Sequence, residues 1–345
     1  MAARCHGRRE TLCRSESLKR IGVIGGGAWG TALAALSAEQ GDTILWARNA
    51  EVVDSINAAQ ANPIYLPDVK LPAGLTATGD LAALKDCDAL VLAVPTQTLR
   101  TFAEAIRNSL PQAAPIVIAA KGIEISTGLL PSDVLAEKLP GRPLAILSGP
   151  NFASEVARGL PAASTLACAD AALGAALVQR LGRPTFRPYL SDDVTGAQIG
   201  GAVKNVLAIA CGIVIGRKLG DNARAALITR GLAEMSRLGL ALGAKRETLM
   251  GLSGLGDLVL TCSGTQSRNL SLGIALGEGQ TLEQIMGARR TVAEGVHTAR
   301  AIEALAGKHG VDMPICAAVD AVLHKDRVID DMLAALLARP FKVEG

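Results

Sequence analysis

The stretch IGVIGGGAWGTALAALSA, residues 21–38, decides the fold predicted for this chain. It opens with a short apolar run typical of a buried strand and continues as a helical pattern over 28–39. Gly25, Gly27 and Gly30 give the spacing G-x-G-x-x-G between the two. In this context the first glycine permits a tight turn, the second a close approach of backbone to pyrophosphate, and the third helix–sheet packing. The stretch predicts a dinucleotide site, although glycines that merely turn the chain would have the same spacing.

Short apolar runs continue along the first half of the chain and predict further strands. With the first run they are 21–25, 43–47, 89–94, 116–120, 144–149 and 164–169. Such runs are rich in Val, Ile or Leu, as strands buried on both faces are. Helical stretches such as 96–109 and 170–181 lie between them. This alternation predicts a Rossmann-type, doubly wound, mostly parallel sheet in an α/β domain over residues 19–190.

The pattern changes at Ser191-Asp192-Asp193, where a serine and two acids predict a helix start. The remainder predicts an all-α C-terminal helical domain over residues 191–340. Its predicted helices are 194–218, 223–242, 281–286, 295–309 and 315–336, and its glycine-rich loops are 251–256 and 262–266.

Residues 1–18 are polar and Arg-rich, and the apolar stretch follows them directly. A secretory signal has a similar order of basic and apolar segments, but successive glycines disfavour its apolar helix. We predict a disordered N-terminal extension or an early start. No other run of about 18 apolar residues is free of charge, so we predict no transmembrane helix.

The composition excludes several classes of protein. With 35 Lys and Arg against 32 Asp and Glu, the chain creates no strong field for nucleic acid or an anionic membrane. It is 49% hydrophobic but only 2% aromatic, which argues against stacking platforms for single strands. Its seven cysteines are irregularly spaced and form no C-x-x-C pair. We therefore expect reduced thiols in a cytoplasmic protein rather than disulfides or a zinc site.

The end of the second predicted strand bears on the choice of cofactor. An acid there would accept from a ribose 2′-hydroxyl, but the sequence has Arg48 instead. Because a guanidinium favours a 2′-phosphate, we expect NADPH rather than NADH, while a solvated Arg48 would leave both open.

Two lysines are candidates for chemistry. Lys121 follows a predicted strand at the carboxyl edge of the sheet, where it could meet a phosphate or stay solvated. Lys204 lies in the most apolar predicted helix, beside Asn205. A buried lysine next to an anionic substrate is a workable proton donor or acceptor, although a lysine can also extend its head to solvent.

Eight motifs in order give the chain a family resemblance that runs from about residue 19 to 342. The motifs are IGVIGGGAWGTALA, LAVPTQ, AAKGIE, LSGPNFASEVA, GGAVKNVLAIACGI, GLSGLGDLVLTC, SRNLSLG and TVAEGVHTA. The chain thereby resembles the bacterial NAD(P)-dependent glycerol-3-phosphate dehydrogenases. The resemblance implies a homodimer that reversibly reduces dihydroxyacetone phosphate to sn-glycerol 3-phosphate for phospholipid synthesis.

The resemblance also implies roles for particular residues. Lys204 corresponds to the proton donor and acceptor of the family. The implied substrate-binding residues are Lys121, Gly149, Asn151, Lys204, Asp257, Ser267, Arg268 and Asn269. The implied cofactor-binding residues are Gly25, Gly27, Ala28, Trp29, Gly30, Arg48, Lys121, Ala153, Arg268, Val292 and Glu294. Position 151 departs from the usual serine or threonine of the family, so the geometry of its substrate contact is in doubt.

Other interpretations stay open at this point. Glu294 and His297 have the spacing of some di-metal helices, but the pair occurs once, so we expect no metal. Cys211 and Cys262 could indicate thiol chemistry but fit small buried thiols better. The chain could also be a related β-hydroxyacid or ketopantoate-type dehydrogenase, or a catalytically silent nucleotide sensor. The SRNLSLG segment and the set Lys204, Asp257 and Arg268 favour the glycerol phosphate interpretation.

Overall fold

The computed structural model describes residues 18–107, 109–111, 114–288 and 293–340. The predicted N-terminal extension therefore lies almost entirely outside the described residues. Within these ranges the chain forms the strands β1 (Ile21–Ile24), β2 (Thr43–Trp46), β3 (Ala61–Asn62), β4 (Leu66–Lys70), β5 (Leu75–Thr78), β6 (Ala89–Leu92), β7 (Ile116–Ile118), β8 (Leu144–Ser148), β9 (Ala162–Cys168) and β10 (Phe186–Ser191).

The α-helices in the same ranges alternate with the strands at first and then succeed one another. They are α1 (Ala28–Ala38), α2 (Ala50–Ala59), α3 (Leu99–Ile106), α4 (Pro131–Lys138), α5 (Ala153–Ala157), α6 (Ala171–Leu181), α7 (Val194–Gly216), α8 (Asp221–Ala241), α9 (Arg246–Leu249), α10 (Asp257–Ser263), α11 (Arg268–Gly277), α12 (Leu282–Gly287), α13 (Glu294–Lys308), α14 (Pro314–His324) and α15 (Ile329–Leu337).

Eight strands form one sheet in the order β10-β9-β8-β7-β6-β1-β2-β5, while β3 and β4 form a separate antiparallel pair. Neighbours in the large sheet are parallel except β8 and β9. After β1, the chain first adds β2 and β5 on one side of this strand and later adds β6 on its other side. The carboxyl ends of β1 and β6 therefore flank the switch point of the sheet, where ligands bind in folds of this kind.

The sheet is buried on both faces. Val23 and Leu45 belong to the apolar cluster on one face, and Ile24 and Ile44 belong to the cluster on the other. This arrangement explains why the strands appear in the sequence as continuous apolar runs. The mostly parallel sheet followed by a helical region confirms the predicted fold class.

Helix α7 is the core of the helical region. Asp193 caps it by accepting a hydrogen bond from the Gly196 N–H at 2.8 Å, which confirms the predicted helix start. Every residue from Gly196 to Val214 is buried. The helix is long and apolar enough to cross a membrane, with a mean hydropathy of 1.8, but 89% of that segment is buried inside the protein. Its apolar character therefore serves internal packing.

Three local predictions are wrong. The predicted helix 315–336 is two helices, because the chain breaks between α14 and α15, where Asp326 has φ +50°. The predicted loop 251–256 contains a π-helical turn at Leu252–Gly256 that leads directly into α10. Strands β5 and β10 of the large sheet, and the β3–β4 pair, are absent from the prediction.

Candidate functional site

The glycine turn after β1 lies at the switch point. Gly25 has φ +122°, which strongly favours glycine, and an added methyl group would lie 2.7 Å from the Ala93 carbonyl oxygen. Gly30 abuts the Gly25 carbonyl so closely that an added methyl group would overlap it. Gly27 caps α1 with an extended backbone, and a methyl group there would meet no described atom within 4 Å. The outer glycines shape the turn, and Gly27 faces open space at the N-terminus of α1.

Five of the buried side-chain atoms that lack a hydrogen-bond partner among the described residues lie at the carboxyl edge of the sheet or next to it. They are Trp29 Nε1, Thr96 Oγ1, Ser148 Oγ, Asn151 Oδ1 and Glu294 Oε2. An unsatisfied buried polar group costs about 1–3 kcal/mol, so such atoms are uncommon unless a ligand satisfies them. A dinucleotide offers phosphate oxygens, ribose hydroxyls and a carboxamide. The open face at Gly27 and these donors and acceptors fit such a group.

The structure describes all but one of the other residues predicted to bind the cofactor. Ala28 and Trp29 begin α1, and Ala153 begins α5, which packs against α1. Trp29 is half-buried against the apolar cluster on that face of the sheet. Arg48 follows β2 and is exposed. Val292 lies outside the described residues.

Glu294 enters the crevice from the helical region. It begins α13, and a methyl group added at Gly122 would lie 2.7 Å from Thr96 Oγ1 and 3.3 Å from Glu294 Oε2. Burial raises the pKa of Glu294 to about 7, although Arg268 and the Thr96 backbone N–H oppose the shift. Glu294 and Thr96 thus form a polar pair between the sheet and α13.

A carboxylate held by two lysines forms the centre of the site. Lys204 Nζ donates to Asp257 Oδ1 at 2.6 Å, and Lys121 Nζ donates to Asp257 Oδ2 at 2.7 Å. Asp257 is only 1% exposed. Lys204 also donates to Thr261 Oγ1 at 2.9 Å, and Lys121 to the Gly149 carbonyl at 3.0 Å. Each ammonium group has three N–H bonds. Two of them donate to these partners, so the third can donate to a ligand.

The environment of Lys204 favours proton transfer. Burial lowers the pKa of Lys204 to about 8, while the Asp257 carboxylate opposes the shift and the Lys121 charge adds to it. Lys204 is 7% exposed, so its head does not extend to solvent. An ammonium group whose pKa lies near neutrality can donate and regain a proton with little driving force in either direction.

Small residues on α7 allow this centre to form. The π-helical turn at Leu252–Gly256 crosses α7 at Gly200, where an added methyl group would lie 3.0 Å from the Gly254 Cα. The turn leads directly to Asp257 at the start of α10, which brings the carboxylate to Lys204. On the sheet side, Gly201 leaves room for the stem of Lys121.

Asn151 shows how the departure from the family pattern is accommodated. Its Nδ2 donates to the Ala163 carbonyl at 3.1 Å and to Ser164 Oγ at 2.7 Å. Both amide N–H bonds are therefore directed at β9, and Oδ1 remains as a buried acceptor. In this arrangement Asn151 can accept from a hydroxyl group, but it has no donor left for a phosphate.

The residues Ser267, Arg268 and Asn269 form the start of α11. Ser267 Oγ caps the helix by accepting from the Leu270 N–H at 3.2 Å, and Arg268 is exposed. Asn269 Nδ2 donates to Asn205 Oδ1 at 2.9 Å, and its Oδ1 accepts from the Gly295 N–H at 3.0 Å. Asn269 thereby ties α11 to both α7 and α13.

The contact between α7 and α11 is made backbone to backbone. A methyl group added at Gly212 would lie 2.7 Å from the Gly273 Cα, and one at Gly216 would lie 2.9 Å from the Gly277 Cα. No side chain separates the helices at these positions.

Four polar residues at this site are not among the predicted site residues: Thr96, Ser148, Asn205 and Thr261. Thr261 follows Asp257 by one helical turn, so the spacing D-x-x-x-T on one helix face could have revealed it. Asn205 adjoins Lys204 in the sequence, and its Nδ2 donates to the Gly201 carbonyl at 3.3 Å and the Lys121 carbonyl at 3.4 Å. Thr96 follows the predicted strand 89–94 at the carboxyl edge of the sheet, where the cofactor is expected, whereas nothing local in the sequence indicates the buried hydroxyl of Ser148.

Family models match most of the chain in two parts. Residues 20–174 match the NAD-dependent glycerol-3-phosphate dehydrogenase N-terminus, and residues 193–334 match the corresponding C-terminus.

Comparison with individual proteins points to the same family. The chain is 58% identical over 333 residues to a glycerol-3-phosphate dehydrogenase (NAD(P)+) of Rhodospirillum rubrum, covering 96% of this chain and 95% of the relative. It is 56% identical over 327 residues to the enzyme of that name from Parvibaculum lavamentivorans, covering 94% and 98%. A crystal structure of glycerol-3-phosphate dehydrogenase from Coxiella burnetii superposes with a TM-score of 0.90 at 40% identity, covering 94% of this chain and all of that one.

Proposed function

Because the chain belongs to the NAD-dependent glycerol-3-phosphate dehydrogenase family, it interconverts dihydroxyacetone phosphate and glycerol 3-phosphate, and we propose that Lys204 carries the proton in this reaction. The observation that carries the proposal is the buried centre of Lys204, Asp257 and Lys121. Replacing Lys204 tests it directly.

Lys204 has the chemistry that ketone reduction requires. A bound NAD(P)H supplies the hydride, and the carbonyl oxygen then develops negative charge. The free N–H of Lys204 stabilises that charge and transfers the proton, while Asp257 and Thr261 hold the ammonium in place. In the direction of oxidation, the neutral amine of Lys204 takes the proton from the substrate hydroxyl.

Lys121 and Asp257 set the charge of the site. Two lysines and one carboxylate give this buried centre a formal charge of +1, which favours an anionic substrate. We propose that the third N–H of Lys121 contacts the substrate or the cofactor. Asp257 would fix the position and orientation of both ammonium groups, because each of its oxygens accepts a hydrogen bond from one of them.

The start of α11 supplies the remaining donors for the substrate phosphate in this proposal. Arg268 offers a planar fork, and the hydroxyl hydrogen of Ser267 and the second N–H of Asn269 add neutral donors. Gly149 and Asn151 lie on the sheet side. With its amide N–H bonds directed at β9, Asn151 suits a hydroxyl group of the substrate rather than its phosphate.

The enzyme uses NAD(P), and we propose that the glycine turn holds its pyrophosphate. The turn places Gly27 at the N-terminus of α1, where backbone N–H groups and the helix dipole favour an anion. Ala28, Trp29, Gly30, Ala153, Val292 and Glu294 would complete the cofactor site. Residues 19–190 thus form a cofactor domain, and residues 191–340 form a domain that supplies Lys204. The reaction centre contains no metal in this proposal.

Arg48 supports a preference for NADPH. Replacing Arg48 by alanine should raise the KM for NADPH about tenfold, because a charge-assisted hydrogen bond to a phosphate is worth about 1.5–3 kcal/mol. The KM for NADH should change less than twofold, since NADH lacks the 2′-phosphate. Initial rates with dihydroxyacetone phosphate and each cofactor measure both constants.

Arg187→Ala provides the matched control, because Arg187 is an exposed arginine at the far edge of the sheet. It should leave both constants unchanged. A marked preference of the unaltered enzyme for NADH would refute the choice of NADPH.

We also propose a homodimer in the cytoplasm. The family resemblance supports the dimer, and five buried cysteines without disulfides among the described residues support a reducing compartment. Sedimentation velocity and cell fractionation test the two parts. A monomer at micromolar concentration, or an exported enzyme, would contradict them.

A further inference from the structure

The residue Asn62, in the β3–β4 pair, reaches across to the glycine turn. It is completely buried, although this pair lies outside the large sheet. Its Nδ2 donates to the Gly26 carbonyl at 3.0 Å and to Thr31 Oγ1 at 2.8 Å. Its Oδ1 accepts from the Tyr65 N–H at 3.2 Å. All the hydrogen-bonding groups of this amide are engaged, and they join a peripheral hairpin to the turn between β1 and α1.

The carbonyl that Asn62 holds is otherwise fixed from two sides. Thr31 Oγ1 lies 3.4 Å from the Gly26 oxygen and adds a second, longer hydrogen bond. Gly26 packs against Ala47, where an added methyl group would lie 2.5 Å from the alanine Cβ. The peptide that joins Gly26 to Gly27 therefore has one defined orientation.

That orientation decides where the Gly27 N–H points. In a trans peptide the carbonyl and the N–H of the same plane point in opposite directions. A Gly26 carbonyl directed at Asn62 turns the Gly27 N–H to the opposite face, away from the hairpin. Within the described part of the chain, this N–H has no acceptor. A reversed peptide would instead present a carbonyl oxygen to that face, and two negative groups would repel each other.

We propose that Asn62 is a positioning residue for the cofactor pyrophosphate. It keeps the Gly26 carbonyl out of the phosphate site and aims the Gly27 N–H into it. The inference rests on the proposed location of the pyrophosphate at the glycine turn. Asn62 acts through the backbone and touches neither cofactor nor substrate.

Two variants of Asn62 test this role. Asn62→Ala removes the amide, and the nearly isosteric Asn62→Leu removes it without leaving a cavity. In both, the KM for NADPH should rise about tenfold, as expected when a hydrogen bond to a charged group is weakened. The inhibition constant of ADP-ribose, which contains the pyrophosphate, should rise by the same factor. The kcat at saturating NADPH and the KM for dihydroxyacetone phosphate should stay within twofold.

Asn57→Ala is the matched control. Its amide makes two hydrogen bonds to the backbone of Ala77, at 2.9 and 2.8 Å, in the same domain but away from the turn. It should lower the thermal stability and leave the KM for NADPH within twofold. Equal KM values in the Asn57 and Asn62 variants would overturn the inference, as would a parallel loss of kcat and of affinity for both substrates.

Two further variants cover the cases in which the Asn62 variants do not fold or the pyrophosphate binds elsewhere. If the Asn62 variants do not fold, Thr31→Val removes the second donor to the Gly26 carbonyl and should raise the KM for NADPH in the same direction. An unchanged value would refute the inference. Gly27→Ala tests the pyrophosphate location itself, since the added methyl group meets no described atom within 4 Å. If Gly27→Ala weakens NADPH and Asn62→Leu does not, the positioning role alone is wrong. If neither does, the proposed pyrophosphate location is wrong as well.

Discussion

Replacement of Lys204 by alanine should abolish turnover, lowering kcat for dihydroxyacetone phosphate reduction by about 10²–10⁴-fold, the usual contribution of a positioned general acid. No neighbouring group can substitute for it. Thr261 is a poor acid, and Lys121 binds the other carboxylate oxygen of Asp257, so it does not occupy the position of Lys204. NADPH should still bind, because Lys204 takes no part in the packing of the glycine turn.

Lys204→Met gives the same prediction with less disturbance, since methionine fills most of the buried volume. Stopped-flow hydride transfer and fluorescence titration with NADPH measure the chemistry and the binding separately. The control is Lys245→Met, which removes an exposed lysine bonded to Asp192 at 2.7 Å. A near-normal kcat in the Lys204 variants would refute the assignment of this residue.

Replacement of Asp257 by asparagine should lower kcat/KM for dihydroxyacetone phosphate by about 10²-fold, comparable to the loss of one preorganised polar group in other enzymes. The amide keeps the shape of the carboxylate but removes its charge. Its Nδ2 would also face one of the two ammonium groups. Both lysines then lose their shared counter-ion and repel each other.

The pH profile separates this electrostatic effect from a packing defect. In the unaltered enzyme, reduction requires protonated Lys204, so kcat/KM for reduction should fall as the pH rises through about 8. Oxidation requires the neutral amine, so kcat/KM for oxidation should rise over the same range. Asp257 raises the pKa of Lys204, so in Asp257→Asn both limbs should move to lower pH. Asp192→Asn, which alters the exposed pair with Lys245, should leave them in place. An unmoved limb in Asp257→Asn would show that the carboxylate does not control Lys204.

The elements with strong local signals were predictable from the sequence. The glycine turn, the apolar strands and the cap at Asp193 depend on neighbouring residues, so a local pattern reveals them. Strands β5 and β10 lack such a pattern. They lie at the two edges of the sheet, where one side of the strand has no partner among the described residues, and β10 contains Pro188 and the exposed Tyr189. Edge strands need neither continuous apolar residues nor a full set of backbone donors.

The site was predictable only in part for a related reason. A buried Lys204 follows from its place in an apolar helix, but its hydrogen bond to Asp257 joins residues 53 positions apart. The engagement of the Asn151 amide by β9 depends likewise on tertiary folding. The hydrogen bond from Asn62 to Gly26 is the contact that the sequence indicates least, because Gly26 lies 36 residues away and accepts through its backbone carbonyl. A sequence pattern cannot show which carbonyl a buried amide will meet.

The glycine contact between α7 and α11 has a consequence for how substrate range can change in this enzyme. Gly212 and Gly273 bring the two backbones together, so at this crossing no side chain lies between the helices that could repack around a substitution. We therefore expect α7, which carries Lys204, and α11, which begins with Arg268, to move as one unit. We therefore expect that a redesign for a longer or differently charged substrate has to change residues on the sheet side of the site, such as Asn151.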